Sequence, residues 1–228
     1  MEGSRWRETA LLLFVPAAAL GLIGCGHSGS SATTTGSTAP FSAAELRVAL
    51  LPKVNGIRAA APATTGSYAS LAAADPSTQL SGGVRVTPKA CADDVPDGFN
   101  AAVIAGAPAA AVSFRVGHNG VFEMLVSSSA AAAAIAAKVP AQCARYEETV
   151  GGKTFRYTVH ESSVKGIGKE AHVLSVRSTG GPADDMWSLV YRGAGFVGSV
   201  TVIGPGASEV AVKSLAKHAY AFATKELS

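Results

Sequence analysis

Val112, Phe114 and Val116 alternate with Ser113 and Arg115, and an apolar run resumes from Val121 to Val126. Between them, Gly117-His118-Asn119-Gly120 supplies residues that tolerate the backbone of a tight reversal. Period-two alternation on both sides of such a turn specifies an antiparallel hairpin. The pattern continues downstream. Phe155, Tyr157 and Val159 alternate with Arg156 and Thr158 after Gly151-Gly152. Strands at 171–177, 186–192 and 196–203 are separated by Gly180-Gly181-Pro182 and Gly193-Ala194-Gly195. Short connections between strands force antiparallel pairing. Val212, Leu215, Ala219 and Phe222 then step by three, four and three, the spacing of one helical stripe.

Two more helices complete this frame. Ser42-Ala43-Ala44-Glu45 is a capping box: the Ser42 hydroxyl accepts from the backbone of Glu45, whose side chain reaches back. Phe41 and Leu46 flank it as a hydrophobic staple, and Pro52 stops the helix, which predicts 43–51. Ser128 or Ser129 caps an alanine-rich helix running to Lys138, ended by Pro140. The expected fold class is therefore α+β, a mostly antiparallel sheet of about six strands packed by N-terminal, central and C-terminal helices. Residues 52–110 fit this pattern poorly. Prolines at 52, 62, 76, 88, 96 and 108 interrupt every periodic window. Within the stretch, Ser67–Ala74 reads as one short helix and Val84–Val86 as a strand. A segment of this length with so little regular structure is expected to cover a groove or to be mobile.

The N-terminus carries a different signal. Arg5 and Arg7 precede an apolar run from Ala10 to Ile23, and Leu22-Ile23-Gly24-Cys25 closes it. The order is that of an export signal. The run is too short for a bilayer span, which needs about 20 apolar residues. Residues 26–40 are small and polar, with no large apolar side chain to bury. The expected organisation is a signal peptide at 1–24, a Ser/Thr-rich tether at 25–40 and one α+β domain at 41–228.

Charge and cysteines narrow the class further. The chain carries +3 at pH 7, and the two arginines and two glutamates of the signal leave that value unchanged. Lysines and arginines are scattered singly, which excludes the clustered basic face of a nucleic-acid binder. With Cys25 assigned to the signal, Cys91 and Cys143 remain, an even pair in an oxidising compartment. They read as a disulfide; two buried thiols are the alternative. No CxxC or nearby histidine spacing marks a metal site.

Leu22-Ile23-Gly24-Cys25 resembles the lipobox of bacterial lipoproteins. That resemblance implies a diacylglyceryl group on the Cys25 thiol and a protein held on the outer face of the cell membrane. With a Ser/Thr tether, a two-cysteine domain, 44 alanines and 25 glycines, the chain looks like an actinobacterial, mycobacterial-type envelope lipoprotein. The strand meander closing on a C-terminal helix, with Val200-Thr201-Val202-Ile203-Gly204-Pro205-Gly206, is similar to the extracellular sensor domains of PknH-type serine/threonine kinases and their lipoprotein relatives. The kinase sensors carry two disulfides, and this chain has cysteines for one.

No catalytic constellation emerges. Gly193-Ala194-Gly195-Phe196-Val197-Gly198 spells a dinucleotide fingerprint, but a strand follows it where a helix is required. Ser162-Ser163-Val164-Lys165 and Ser214-Leu215-Ala216-Lys217 fit S-x-x-K without the companion elements of penicillin-recognising enzymes. Asp93-Asp94-Val95-Pro96-Asp97-Gly98 lacks the ligand spacing of an EF-hand. Gly166-Ile167-Gly168-Lys169 lacks the leading glycine of a P-loop. His118, His160 and His172 read as turn or strand residues. The expectation is a non-catalytic binding or sensing module with no cofactor, whose partners are the membrane through Cys25 and a small apolar ligand or an envelope protein. A ligand-binding module would show an enclosed apolar cavity between sheet and long loop, with Phe114, Tyr157, Trp187 and Tyr191 facing helix, loop or ligand. In the alternative, these aromatics form the core against the helices. An accessory protein docking on an envelope partner would show a closed core and an exposed apolar patch. A hydrolase would show a polar cleft with a perturbed histidine or acid pair.

Overall fold

A computed structural model describes residues 39–74, 85–91, 98–135, 138–179 and 185–228. Its elements, in chain order, are α1 (Ala43–Val48), β1 (Lys53–Val54), β2 (Ile57–Arg58), β3 (Thr64–Ser67), α2 (Tyr68–Ala74), β4 (Arg85–Thr87) and α3 (Ala101–Ile104). There follow β5 (Pro108–Val116), β6 (Asn119–Ser127), α4 (Ala131–Ala134), β7 (Arg145–Val150), β8 (Lys153–Ser163), β9 (Glu170–Thr179), β10 (Met186–Arg192), β11 (Phe196–Ile203) and α5 (Glu209–Glu226).

Nine strands form one sheet in the order β3-β5-β6-β11-β10-β9-β8-β7-β4, and β1 and β2 form a small hairpin apart from it. Every pairing is antiparallel. The expected antiparallel α+β arrangement is present, but the six-strand count is too low. The hairpin at Gly117-His118 and the strands after residue 153 fall where alternation placed them. The additional strands β3 and β7 are peripheral. Thr64–Ser67 and Arg145–Val150 are polar or charged, as edge regions tend to be, so they carry no apolar alternation. Ala109, Ala110 and Ala111 are buried on both faces, which hides the start of β5 from a period-two search.

Two helices also differ from expectation. α1 ends at Val48, with Ala49 as its C-cap, three residues before Pro52. Its capping box is complete: Glu45 N–H donates to Ser42 Oγ, and Ser42 N–H donates to Glu45 Oε2 at 2.7 Å. The alanine-rich helix is one turn, Ala131–Ala134, with Ala130 rather than Ser128 or Ser129 at its N-cap. Ile135 leaves it in extended geometry and bridges Phe99. Burying Ile135 beside Phe99, Ile104 and Met124 outweighs alanine's modest helix preference.

The sheet is covered on both faces. On one, α5 lies over β9, β10 and β11, and α1 over β3, β5 and β6. Tyr191 and Phe196 fill this layer edge-to-face, and Tyr220 of α5 meets the Tyr191 ring at 5.7 Å. The fully buried helix positions are Val212, Ala216, Ala219 and Ala223. Small helix residues opposite large sheet aromatics let the two layers close. Phe114, Trp187 and Tyr191 therefore belong to the core under the helices.

The other face is built from short pieces. Tyr68, Phe99, Ile104, Ala131, Ala134 and Ile135 pack on Ala109, Ala111, Met124, Val126, Val190 and Val197. Farther along, a disulfide joins Cys91 to Cys143, Cα–Cα 5.5 Å, over Tyr146, Val159, Leu174 and Val176. Tyr157 lies here, stacked on Tyr146 at 5.0 Å between ring centres. So the 52–110 stretch splits. Its first residues border the helix-covered face, and Tyr68, Cys91, Phe99 and Ile104 contribute to the opposite one.

Candidate functional site

Two depressions formed by the described residues bear on function. The larger, about 480 Å³, opens beside α1. Leu50, Leu51 and Pro52 after the helix form one wall, residues 59–63 the other, and Val112 of β5 contributes from the sheet. Arg47 and Arg58 stand at its margin and are exposed. The cleft is thus lined by the long proline-rich stretch against the sheet, as the length of that stretch implied. It is open to solvent and is not the enclosed cavity expected. The reason is local: Pro62 and four neighbouring alanines give a wall too short in side chain to close over the sheet.

Glu123 lies next to this cleft, and motif-based reading of the sequence passes it by. It sits on β6 opposite Val112 in register, 1% exposed. Its Oε2 accepts the Leu51 N–H at 3.0 Å, which ties the chain after α1 to the sheet. Oε1 has no hydrogen-bond partner among the described residues, nor does the Tyr191 hydroxyl. Burial pushes the Glu123 carboxyl up to about 8, and the Leu51 bond opposes that only in part. The Tyr191 hydroxyl is pushed far upward, mainly by burial and then by Glu123 and Tyr220. A signal for Glu123 does exist. It is the lone charge in Val121-Phe122-Glu123-Met124-Leu125-Val126, and the hairpin register gives it the inward parity of Val121 and Leu125.

The smaller depression, about 260 Å³, is polar. Lys138, Val139 and Ala144 face Val159 to Ser163 of β8 and His172 of β9. A chain of polar side-chain contacts runs beside it. His172 Nδ1 is 3.3 Å from Glu161 Oε1, and Nε2 is 3.2 Å from Glu170 Oε1. Arg192 Nη2 is 3.2 Å from Glu170 Oε2, and Glu161 Oε2 accepts the Val139 N–H at 2.9 Å. Ser163 is opposite His172 in register. A Ser-His pair needs one ring nitrogen open to the hydroxyl. Both nitrogens here face carboxylates, so this arrangement locks three strands together and leaves the imidazole no free position for proton abstraction. Among the described residues no group of histidine, cysteine or carboxylate side chains is arranged to hold a metal.

The remaining sequence motifs resolve as follows. Cys25 and Asp93 to Asp97 lie outside the described residues. Gly193 to Gly195 form the β10–β11 turn, and Phe196 starts a strand. Ser214 and Lys217 are exposed on α5, and Ser162 is exposed at the end of β8. Gly166 to Lys169 form the β8–β9 connection, pinned by Lys169 N–H donating to the Arg192 carbonyl at 2.9 Å. His118 is in the β5–β6 turn and His160 on β8.

No family model matches the chain. No curated protein matches it either. Among solved structures, the chain is similar to the extracellular domain of PknH from Mycobacterium tuberculosis, with 11% identity and a TM-score of 0.49, covering 82% of this chain and 97% of that one. It is also similar to an uncharacterised protein from Mycobacterium smegmatis, the Rv0999 ortholog, with 17% identity and a TM-score of 0.40, covering 81% of this chain and 94% of that one. The extracellular domain of PknH, the type the sequence resembles, is thus among the solved structures to which the chain is similar.

Proposed function

We propose that this chain is a non-catalytic, extracytoplasmic binding module, held on the outer face of the cell membrane by a lipid on Cys25, that takes a small, largely apolar ligand in the cleft beside α1. In this reading residues 1–24 are the export signal, 25–40 the tether and 41–228 the binding domain. The observation that carries it is the cleft itself, an open groove where an enclosed cavity was expected. Its volume falls in the usual range for small-molecule sites, and ten of its twelve lining residues are apolar. Partner docking has less support. Among the described residues the exposed large apolar side chains are Val48, Ile57, Val103, Ile203 and Val210, and Val48 already belongs to the cleft lining.

Two measurements test the proposal. Protein purified from its own host is extracted with organic solvent and the extract weighed by mass spectrometry. Wild type is expected to carry a bound small molecule and Ala59→Trp, which fills the cleft, to carry little. Equal recovery from both proteins removes the cleft as the site. For the anchor, Cys25→Ala is expected to move the protein from the detergent phase to the aqueous phase. Two acyl chains suffice for stable anchoring where one is marginal. Identical partitioning of the two proteins places the attachment elsewhere.

A further inference from the structure

We infer that the cleft beside α1 selects a single acyl chain bearing an anionic head, with Arg47 and Arg58 gripping the head and the apolar walls taking the chain. This rests on the binding reading above and names its ligand class. The charges in the cleft are of one sign. Arg47 lies in the last turn of α1 and Arg58 ends β2, and both border the same opening. Neither forms an ion pair among the described residues, and no acidic residue lines the cleft. Two guanidinium groups with free donors are suited to a carboxylate or phosphate, which they bind through paired hydrogen bonds.

The nearby acids do not cancel this charge. Glu45 is engaged at the opposite end of α1, where Ser42 donates to it from both backbone and side chain. Glu123 lies behind the lining rather than in it, and burial keeps its carboxyl largely protonated at neutral pH. The apolar part then sets the ligand's shape. Leu50, Leu51, Val112 and the alanines of residues 59–63 offer no hydrogen-bonding side chain. A volume of about 480 Å³ holds on the order of 15 non-hydrogen atoms at ~30 Å³ each, the share of a liquid water molecule. That is one chain, not the two of a bilayer phospholipid.

The test uses the full chain carrying Cys25→Ala, purified without detergent, and two fluorescent probes of equal length: a conjugated long-chain fatty acid and the matching alcohol. The fatty acid is expected to bind about tenfold more tightly than the alcohol, and the preference should shrink at high salt. Arg47→Gln and Arg58→Gln should each weaken fatty-acid binding several-fold and leave alcohol binding unchanged. Both arginines are exposed, so the fold survives these changes, which a melting curve verifies. Ala59→Trp should block both probes. Equal affinity for acid and alcohol overturns the anionic head while leaving the binding reading intact. Binding undiminished in Ala59→Trp places the probes elsewhere and overturns both. Arginine-dependent attachment to anionic phospholipid vesicles without binding of either soluble probe identifies a membrane-surface contact and overturns the single-chain assignment.

Discussion

The two faces of the nine-stranded sheet reach the same burial by different means. One is covered by α5, an 18-residue helix, together with α1. Its contacts come from a few long, regular elements, and its interior is aromatic sheet residues against helix alanines. Among the described residues the other is covered by α2, α3, α4 and two 3₁₀ turns, Lys89–Cys91 and Ala141–Cys143, none longer than seven residues. Helices this short are unstable alone and hold their shape only through packing. The disulfide sits on this second face, between the two 3₁₀ turns. A cover made of fragments needs a covalent staple; a cover made of one long amphipathic helix does not. The same contrast locates the candidate site, because the cleft opens where the helix cover gives way to residues 58–63.

The sharpest way to break this comparison is to remove the staple. Cys91→Ala with Cys143→Ala opens a crosslink between residues 52 positions apart, worth about 4 kcal/mol in the chain-entropy model. A Tm loss of roughly 10 °C is expected for a domain of this size. Amide hydrogen exchange should rise first in β4 and β7, beside the lost bond, and last in α5 and β11. A melting temperature unaffected by reduction, or uniform loss of protection on both faces, contradicts the assigned role.

Glu123 tests the helix-covered face. The folded protein holds this proton up to about pH 8, while a free carboxyl releases it near 4.5. Its contribution is fully present at low pH and fades as pH climbs between those values, by up to about 1.4 kcal/mol per pH unit. About 2 kcal/mol should therefore disappear between pH 6 and pH 7.5. Glu123→Gln keeps an acceptor for the Leu51 N–H and cannot ionise. Its Tm should be flat over that range and above wild type at pH 7.5. Parallel pH profiles for the two proteins place the ionisation elsewhere.

The faces also differ in how far they can be read from sequence. Alternation at 112–116 and 121–126 and the stripe through Val212 and Ala219 repeat over many residues, so the hairpin and α5 are legible directly. The capping box at Ser42 and Glu45 is a local pairing that needs no tertiary context, and it marks the start of α1. The second face has no such repetition. Ala131–Ala134 looks like the start of a longer helix until Ile135 finds Phe99, a partner 36 positions away. Arg145–Val150 looks like a charged loop until β8 pairs with it. The candidate site was partly legible. A long proline-rich stretch implied a groove, but its walls follow from where residues 58–63 settle against β5. Glu161, Glu170, His172 and Arg192 meet only because three strands are in register, and no spacing along the chain announces that.

A finer comparison uses one glycine from each face. Gly198 lies opposite Tyr191, and a Cβ there falls 2.4 Å from the ring. Tyr191 is fully buried between Phe196 and Tyr220 and cannot swing aside. Gly198→Ala should cost about 1–3 kcal/mol through overpacking. At Gly66, on the other face, the nearest atom to an added Cβ is the Ser70 hydroxyl at 2.6 Å, the end of an exposed side chain. Gly66→Ala should cost clearly less in a denaturant titration. Equal losses would mean that the helix-covered layer is no more tightly packed than the fragment cover.

The smallest expected effect separates the two helices of the regular face. Ser42 caps α1 and Ser208 caps α5, and each hydroxyl accepts one backbone N–H of its helix. Ser42→Ala and Ser208→Ala should each cost about 1 kcal/mol. They should differ in consequence. α5 has 18 residues and four fully buried positions, so loss of its cap frays one end and leaves the packing in place. α1 has six residues and one fully buried position, Leu46, and the chain after it carries Leu50 and Leu51 into the cleft wall. Loosening α1 should therefore reach the cleft: fatty-acid affinity should fall in Ser42→Ala and stay at the wild-type value in Ser208→Ala. If both variants lose equal stability and neither changes probe binding, the cleft wall is set by the Leu51–Glu123 hydrogen bond and not by the helix that leads to it.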